Sequence, residues 1–128
     1  MTGTHHVTWV LLLVPACFRP SLTCVLINGP TSLQATTAHL TAGQWAHVAC
    51  TYDSTAAAIY VDGVASTTAT GGGTLGANGT TGMSLAADNN PTGPDRQPLI
   101  GLIDEVRLMK VARTAAQICA DAGKPSCP

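Results

Sequence analysis

The sequence predicts an all-β fold of antiparallel strands, closed by one short helix. Three observations carry this prediction. Runs rich in aromatic and β-branched residues recur between clusters of Gly, Pro, Asn, Asp and Thr. Asp62-Gly63 stands between Val61 and Val64. That is a two-residue hairpin signal, because a primed turn needs positive φ, which Gly takes freely and Asp tolerates. Helical spacing appears once, late in the chain, where Val111, Ala115 and Ile118 share a face before Gly123 and Pro125.

The elements follow in order. Residues 1–23 hold the apolar run Val7–Val14, too short to span a bilayer. It reads as the core of a secretory signal, or as a strand or irregular segment. No Lys or Arg precedes it, and Pro15 fits the lipoprotein-like Leu13–Cys17 box poorly. Cys24–Asn28 is a short apolar strand stopped by Gly29-Pro30. Thr31–Thr37 continues as a Thr-rich strand. Trp45–Tyr52, Ala57–Val61 and Val64–Ala69 read as three consecutive strands, with Asp53-Ser54-Thr55 and Asp62-Gly63 as the turns. A Gly-rich connection over 71–79 leads to a candidate strand at Gly82–Ala87, and a long loop spans Asp88–Asp95. Leu99–Met109 is the final strand and Ala112–Ala122 the helix.

Composition narrows the function. At 128 residues the chain is one domain with room for a two-layer core. Charged residues are 10% and the net charge is −1, so no basic patch exists to neutralise phosphates or anchor on anionic lipid. Five cysteines, Cys17, Cys24, Cys50, Cys119 and Cys127, form no CxxC and no zinc-ligand spacing. Cys50, inside a core strand, reads as a small buried apolar residue. Cys119 and Cys127 flank a Gly/Lys/Pro turn and are placed to form a disulfide if the chain is exported. No Ser/His/Asp order, phosphate loop or dinucleotide fingerprint occurs.

Two ordered motifs carry a family resemblance. The first is Trp45-Ala46-His47-Val48-Ala49 with Thr51-Tyr52-Asp53 and Ile59-Tyr60-Val61-Asp62-Gly63. The second is Ile100-Gly101-Leu102-Ile103-Asp104-Glu105-Val106-Arg107-Leu108, followed by Ala112-Arg113-Thr114 and Gln117-Ile118. Together they resemble the middle and the closing strand of a laminin-G-like, concanavalin A-like jelly roll. The resemblance covers Cys24–Ala122. It implies a two-sheet antiparallel sandwich over 24–122, incomplete at its N-terminus, with 123–128 as a tail.

The resemblance makes Asp104 and Glu105 the first residues to weigh. Glycanases of this group carry alternating carboxylates on one strand, since retaining hydrolysis needs two carboxyls about 5–5.5 Å apart. Here the acids are adjacent, and positions 102 and 106 are Leu and Val. A regular strand would point them to opposite faces. No catalytic residue is therefore expected. Leu102, Asp104, Val106 and Leu108 share one parity, so Asp104 interrupts an apolar face unless a bulge in the strand changes the parity. It then needs backbone N–H donors, a cation or calcium. A structural calcium at Asp104 is the metal the resemblance implies.

The candidate ligand residues are Tyr60, as the exposed aromatic, and the oxygen-rich loop Asp88, Asn89, Asn90 and Asp95. The loop also reads as a solvated turn. Trp45 reads as core rather than as a sugar platform, and the isolated His39 and His47 as packing or surface. Asn78-Gly79-Thr80 is a glycosylation sequon if the chain is exported from a eukaryotic cell. The expected function is a non-catalytic binding module of an extracellular or cell-surface protein, part of a larger multidomain chain, with a glycan or protein ligand. The rivals are a spacer without its own ligand, and an accessory or degenerate module of a polysaccharide-active enzyme. Neither nucleic acid nor a membrane span is expected.

Overall fold

The computed structural model describes residues 5–12, 23–28, 31–36, 40–71 and 100–128. The strands are β1 (His5–Leu12), β2 (Thr23–Asn28), β3 (Thr31–Thr36), β4 (Trp45–Tyr52), β5 (Ala56–Val61), β6 (Val64–Thr70) and β7 (Gly101–Met109). One helix follows, α1 (Ala115–Asp121). The main sheet has the order β6-β5-β4-β1-β7, and β2 pairs with β3 in a second sheet. The described pairings are antiparallel. β3 approaches β5 and β6, and β2 approaches β5. The predicted antiparallel two-layer arrangement is thus present.

The meander forms where the turn chemistry placed it. Val61 opposes Val64 across Asp62 and Gly63, whose φ values are 50° and 84°. Two positive φ values make the primed turn that matches strand twist. At the other end, Asp53 Oδ1 accepts from the backbone N–H of Thr55 at 2.9 Å and of Ala56 at 2.8 Å. The bond from the Thr55 hydroxyl, with these two backbone bonds, holds the Asp53 carboxyl below its ordinary pKa. Much of the apolar run Val7–Val14 lies in β1, between β4 and β7.

The core sits on the meander. β4 is buried from Ala46 to Tyr52, on both faces. Ile59 and Ala57 are buried on β5, and Ile118 of α1 packs with Ala49 and against Tyr60. α1 begins later than the sequence suggested. Thr114 is its N-cap, and a capping box with Gln117 fixes the start three residues past Ala112. The buried helical residues are Ile118 and Cys119, whereas Val111 and Ala115 are exposed. The helix ends in a paired cap. Gly123 N–H donates to Ala120 O at 2.9 Å and Lys124 N–H to Cys119 O at 3.2 Å. Gly123 has φ 70°, the left-handed conformation this cap requires.

Both cysteine expectations now have an answer. Cys119 and Cys127 are disulfide-bonded. Cys50 is buried in the core as expected, and it is also disulfide-bonded, which the sequence does not foretell. A strand rich in small residues hides a cysteine's partner, because burial and bonding leave the same sequence trace. The strand at Gly82–Ala87, the Asp88–Asp95 loop and the sequon lie outside the described residues.

Candidate functional site

The start of β4 and the C-terminal disulfide loop meet at the hairpin tip. Asp62 N–H donates to His47 O at 2.8 Å, and His47 N–H donates to Asp62 Oδ1 at 3.0 Å. The turn is thereby tied to the start of β4. Gly63 is buried on its other side. A Cβ there would lie 2.7 Å from Cys127 Sγ and 3.0 Å from the Cys119 Cα. Gly63 is therefore required twice, for its φ and for the approach of the disulfide.

Beside this tip lies a depression of about 130 Å³, lined by Leu40, Thr41, Gln44, Trp45, Ala46, Val61 and Asp62. The turn Thr41–Gln44 forms its rim, closed by Gln44 N–H donating to Thr41 O at 3.3 Å. Gly43 sits third in that turn with φ 76°, as a type II turn demands. Trp45 stands at the lip, 46% exposed. Tyr60 is half-buried against Ala49 and Ile118. The two aromatics have exchanged their expected exposures. Tyr60 opposes Ala49 in the strip that α1 covers, whereas Trp45 opens β4 at the sheet end.

β7 also departs from a regular strand. Val7 opposes Arg107 and Trp9 opposes Asp104, so one extra β7 residue faces β1. Glu105 takes φ 54° at this bulge. Leu102 opposes Leu11 while Leu108 opposes His6, five positions away. An odd separation on β1 puts these two leucines on opposite faces. The continuous apolar face containing Asp104 does not exist. Asp104 is exposed, and its Oδ1 accepts from Glu105 N–H at 2.8 Å. Among the described residues, no three His, Cys, Asp or Glu side chains group as metal ligands. One exposed carboxylate is far from the six to eight oxygens calcium takes.

His47, expected in packing or at the surface, is fully buried. Burial holds its pKa below 6.5. Asp121 and Asp62 oppose that shift and Arg107 adds to it. Asp121 is itself held by Arg113. Arg113 Nη2 donates to Asp121 Oδ1 at 2.8 Å, and Nε lies 2.6 Å from Oδ2.

The comparisons decide the family. Residues 17–119 match Laminin_G_3, described as the concanavalin A-like lectin/glucanases superfamily. The chain belongs to this superfamily. Among curated proteins no sequence matches it significantly. Its fold is similar to that of a Bacteroides ovatus protein provisionally classed as carbohydrate-binding. That likeness has TM-score 0.69 and 21% identity, over 92% of this chain and 40% of that one. It is also similar to domain 4 of AbnA, a GH43 extracellular arabinanase from Geobacillus stearothermophilus, solved with arabinotriose. Here the TM-score is 0.65 with 18% identity, over 94% of this chain and 66% of that one. A heptameric pentraxin from Limulus polyphemus shares the fold at TM-score 0.53 and 11% identity, over 94% and 70%. This superfamily member thus spans less than half of the first of these chains. Among the described residues no helix is long and apolar enough to cross a membrane.

Proposed function

We propose that this superfamily member is a non-catalytic carbohydrate-binding module of a larger extracellular or cell-surface protein. The observation that carries the reading is the fold it shares, over 94% of its length, with a domain solved holding arabinotriose. Its disulfides fit an oxidising compartment. Its partial coverage of the carbohydrate-binding neighbour fits a place inside a longer chain.

The non-catalytic part rests on β7. Asp104 and Glu105 are consecutive across a bulge, with Leu102 and Val106 at the flanking alternate positions. A glycosidase needs two carboxyls set across one glycosidic bond, close for retention or wider for inversion. Calorimetric titration of the purified chain with neutral oligosaccharides, arabinotriose among them, tests binding. Reducing-sugar release tests chemistry in the same samples. Saturable binding without release is expected. Sugar release lost in both Asp104→Asn and Glu105→Gln would overturn the non-catalytic reading. Absence of binding across the panel would overturn the carbohydrate reading.

A further inference from the structure

We infer that the sugar subsite of this module is the sheet end at Trp45, and that it takes one ring of a neutral saccharide; this rests on the carbohydrate-binding reading. A single exposed apolar side chain proves nothing, since folded proteins expose many. Trp45 is different because of what surrounds it. The depression it borders is also lined by Thr41, Gln44 and Asp62, residues whose side chains bear a hydroxyl, a carboxamide and a carboxylate. An aromatic wall with a few convergent polar groups is the recurrent composition of small-molecule sites. A sugar ring matches it. Its C–H face is apolar and slightly positive, suited to the negative face of an indole, and its hydroxyls need donors and acceptors at the rim.

The rim is held in place before a ligand arrives. The Gly43 turn fixes Thr41 and Gln44 relative to each other. Asp62 is fixed by its bond from His47 N–H. Groups ordered in advance lose less freedom on binding. The lining also selects by charge. Among the described residues of the lining, Asp62 is the one ionisable side chain, and none is Lys or Arg. An acidic sugar would meet like charge from Asp62 there, so the neutral class is favoured. The volume of about 130 Å³ is well below the usual range for drug-sized ligands, which suits one ring rather than a buried oligomer.

The larger depression, about 340 Å³ beside α1, is a poorer match. Its described wall is Gly63, Ala65, the α1 alanines, Pro125, Pro128 and the disulfide, with Lys124 and Ser126 as the polar side chains and no aromatic among these residues. Most hydroxyls of a sugar placed there would lack partners.

The test is calorimetric titration of arabinotriose, xylotriose and cellotriose into the parent, Trp45→Ala, Trp45→Phe, Gln44→Ala and Lys124→Ala, each with its melting temperature. For whichever sugar binds, Trp45→Ala should weaken affinity about tenfold or more, which is about 1.4 kcal/mol. Trp45→Phe should lose less, because a smaller ring remains. Lys124→Ala should match the parent. Should Trp45→Ala fail to fold, Gln44→Ala decides, with a several-fold loss expected from a side chain outside the sheet. A binding parent whose affinity survives both Trp45→Ala and Gln44→Ala overturns the site and leaves the carbohydrate reading standing. A parent that binds none of the three overturns this subsite together with that reading.

Discussion

The meander and the β7 edge are built in opposite ways. β4 has neighbours on both sides, and its inner residues are buried on both faces. Among the described strands β7 pairs with β1 alone, and Leu102 and Leu108 are each 53% exposed. The meander also carries its own fasteners: a primed turn, an Asp53 cap, and the disulfide against Gly63. β7 instead carries a bulge and the exposed Arg107–Glu105 pair, with 3.1 Å between Nη2 and Oε2. Bulges and charges are devices that blunt an open sheet edge. The contrast says where stability resides. It belongs to positions whose conformation and packing are fixed together, and β7 has few of these.

Gly63→Val should break the contrast most severely. It places a β-branched residue at φ 84° and a Cβ within 3.0 Å of the disulfide loop. Left-handed strain and overpacking together suggest a loss of about 3–5 kcal/mol. Val at Ala65, exposed on the neighbouring strand, should change little. Denaturant melts of both variants check the difference. Near-equal midpoints would mean that the tip is not clamped.

Ile118→Ala comes next. This side chain is fully buried against Ala49, so truncation should cost about 2–4 kcal/mol. Leu102→Ala removes more than half-exposed surface and should cost under about 1 kcal/mol. If the two losses are similar, β7 is covered in solution.

Reducing the Cys119–Cys127 bond tests the clasp from the other side. The bond closes a short loop, eight residues apart, and should contribute about 2–3 kcal/mol in the chain-entropy picture. A Cys119→Ala, Cys127→Ala double variant measures this without touching Cys50. An unchanged midpoint would show that α1 and Gly63 hold the tip alone.

These same positions show what a sequence reveals. The hairpin was legible because Asp62-Gly63 is a local rule, true wherever the chain puts it. The helix was legible in place but not in length, because the Thr114–Gln117 box sets its first turn and the apolar spacing does not. Trp45 and Tyr60 were misjudged because exposure is not local. It depends on where α1 lies, and α1 reaches Tyr60 but not the end of β4. The β7 bulge was open as an alternative but its place was not legible: Glu105 is an unusual residue at positive φ, and no pattern announces it.

A smaller effect concerns His47. Burial lowers its folded pKa, so the unfolded chain takes up a proton first as pH falls. Stability should be full above about 6.5, decline through the interval down to the folded value, and then level off. Asp121 and Asp62 limit the decline and Arg107 extends it. His47→Gln should flatten this part of the pH–stability curve while lowering the whole. A variant curve with the parent's slope near pH 6 would assign the titration to another group.

The smallest effect is expected at Asp104, where the edge differs most from the core. Its Oδ1 supports the Glu105 N–H at 2.8 Å, and both residues are exposed. Asn keeps an oxygen at that position, so Asp104→Asn should stay within about 0.5 kcal/mol of the parent. Ala removes the acceptor, but water can replace it, so the loss should be at most about 1 kcal/mol. Glu105→Gly should fall on the other side of zero. It relieves the strain of φ 54° and gives up an exposed ion pair, and the relief outweighs the loss of the pair. Thermal melts of the three variants, with and without chelator, give the order Glu105→Gly above Asp104→Asn above Asp104→Ala, with chelator changing none of them. A chelator-sensitive parent and an insensitive Asp104→Asn would give this carboxylate a cation. The β7 edge would then be a site in its own right.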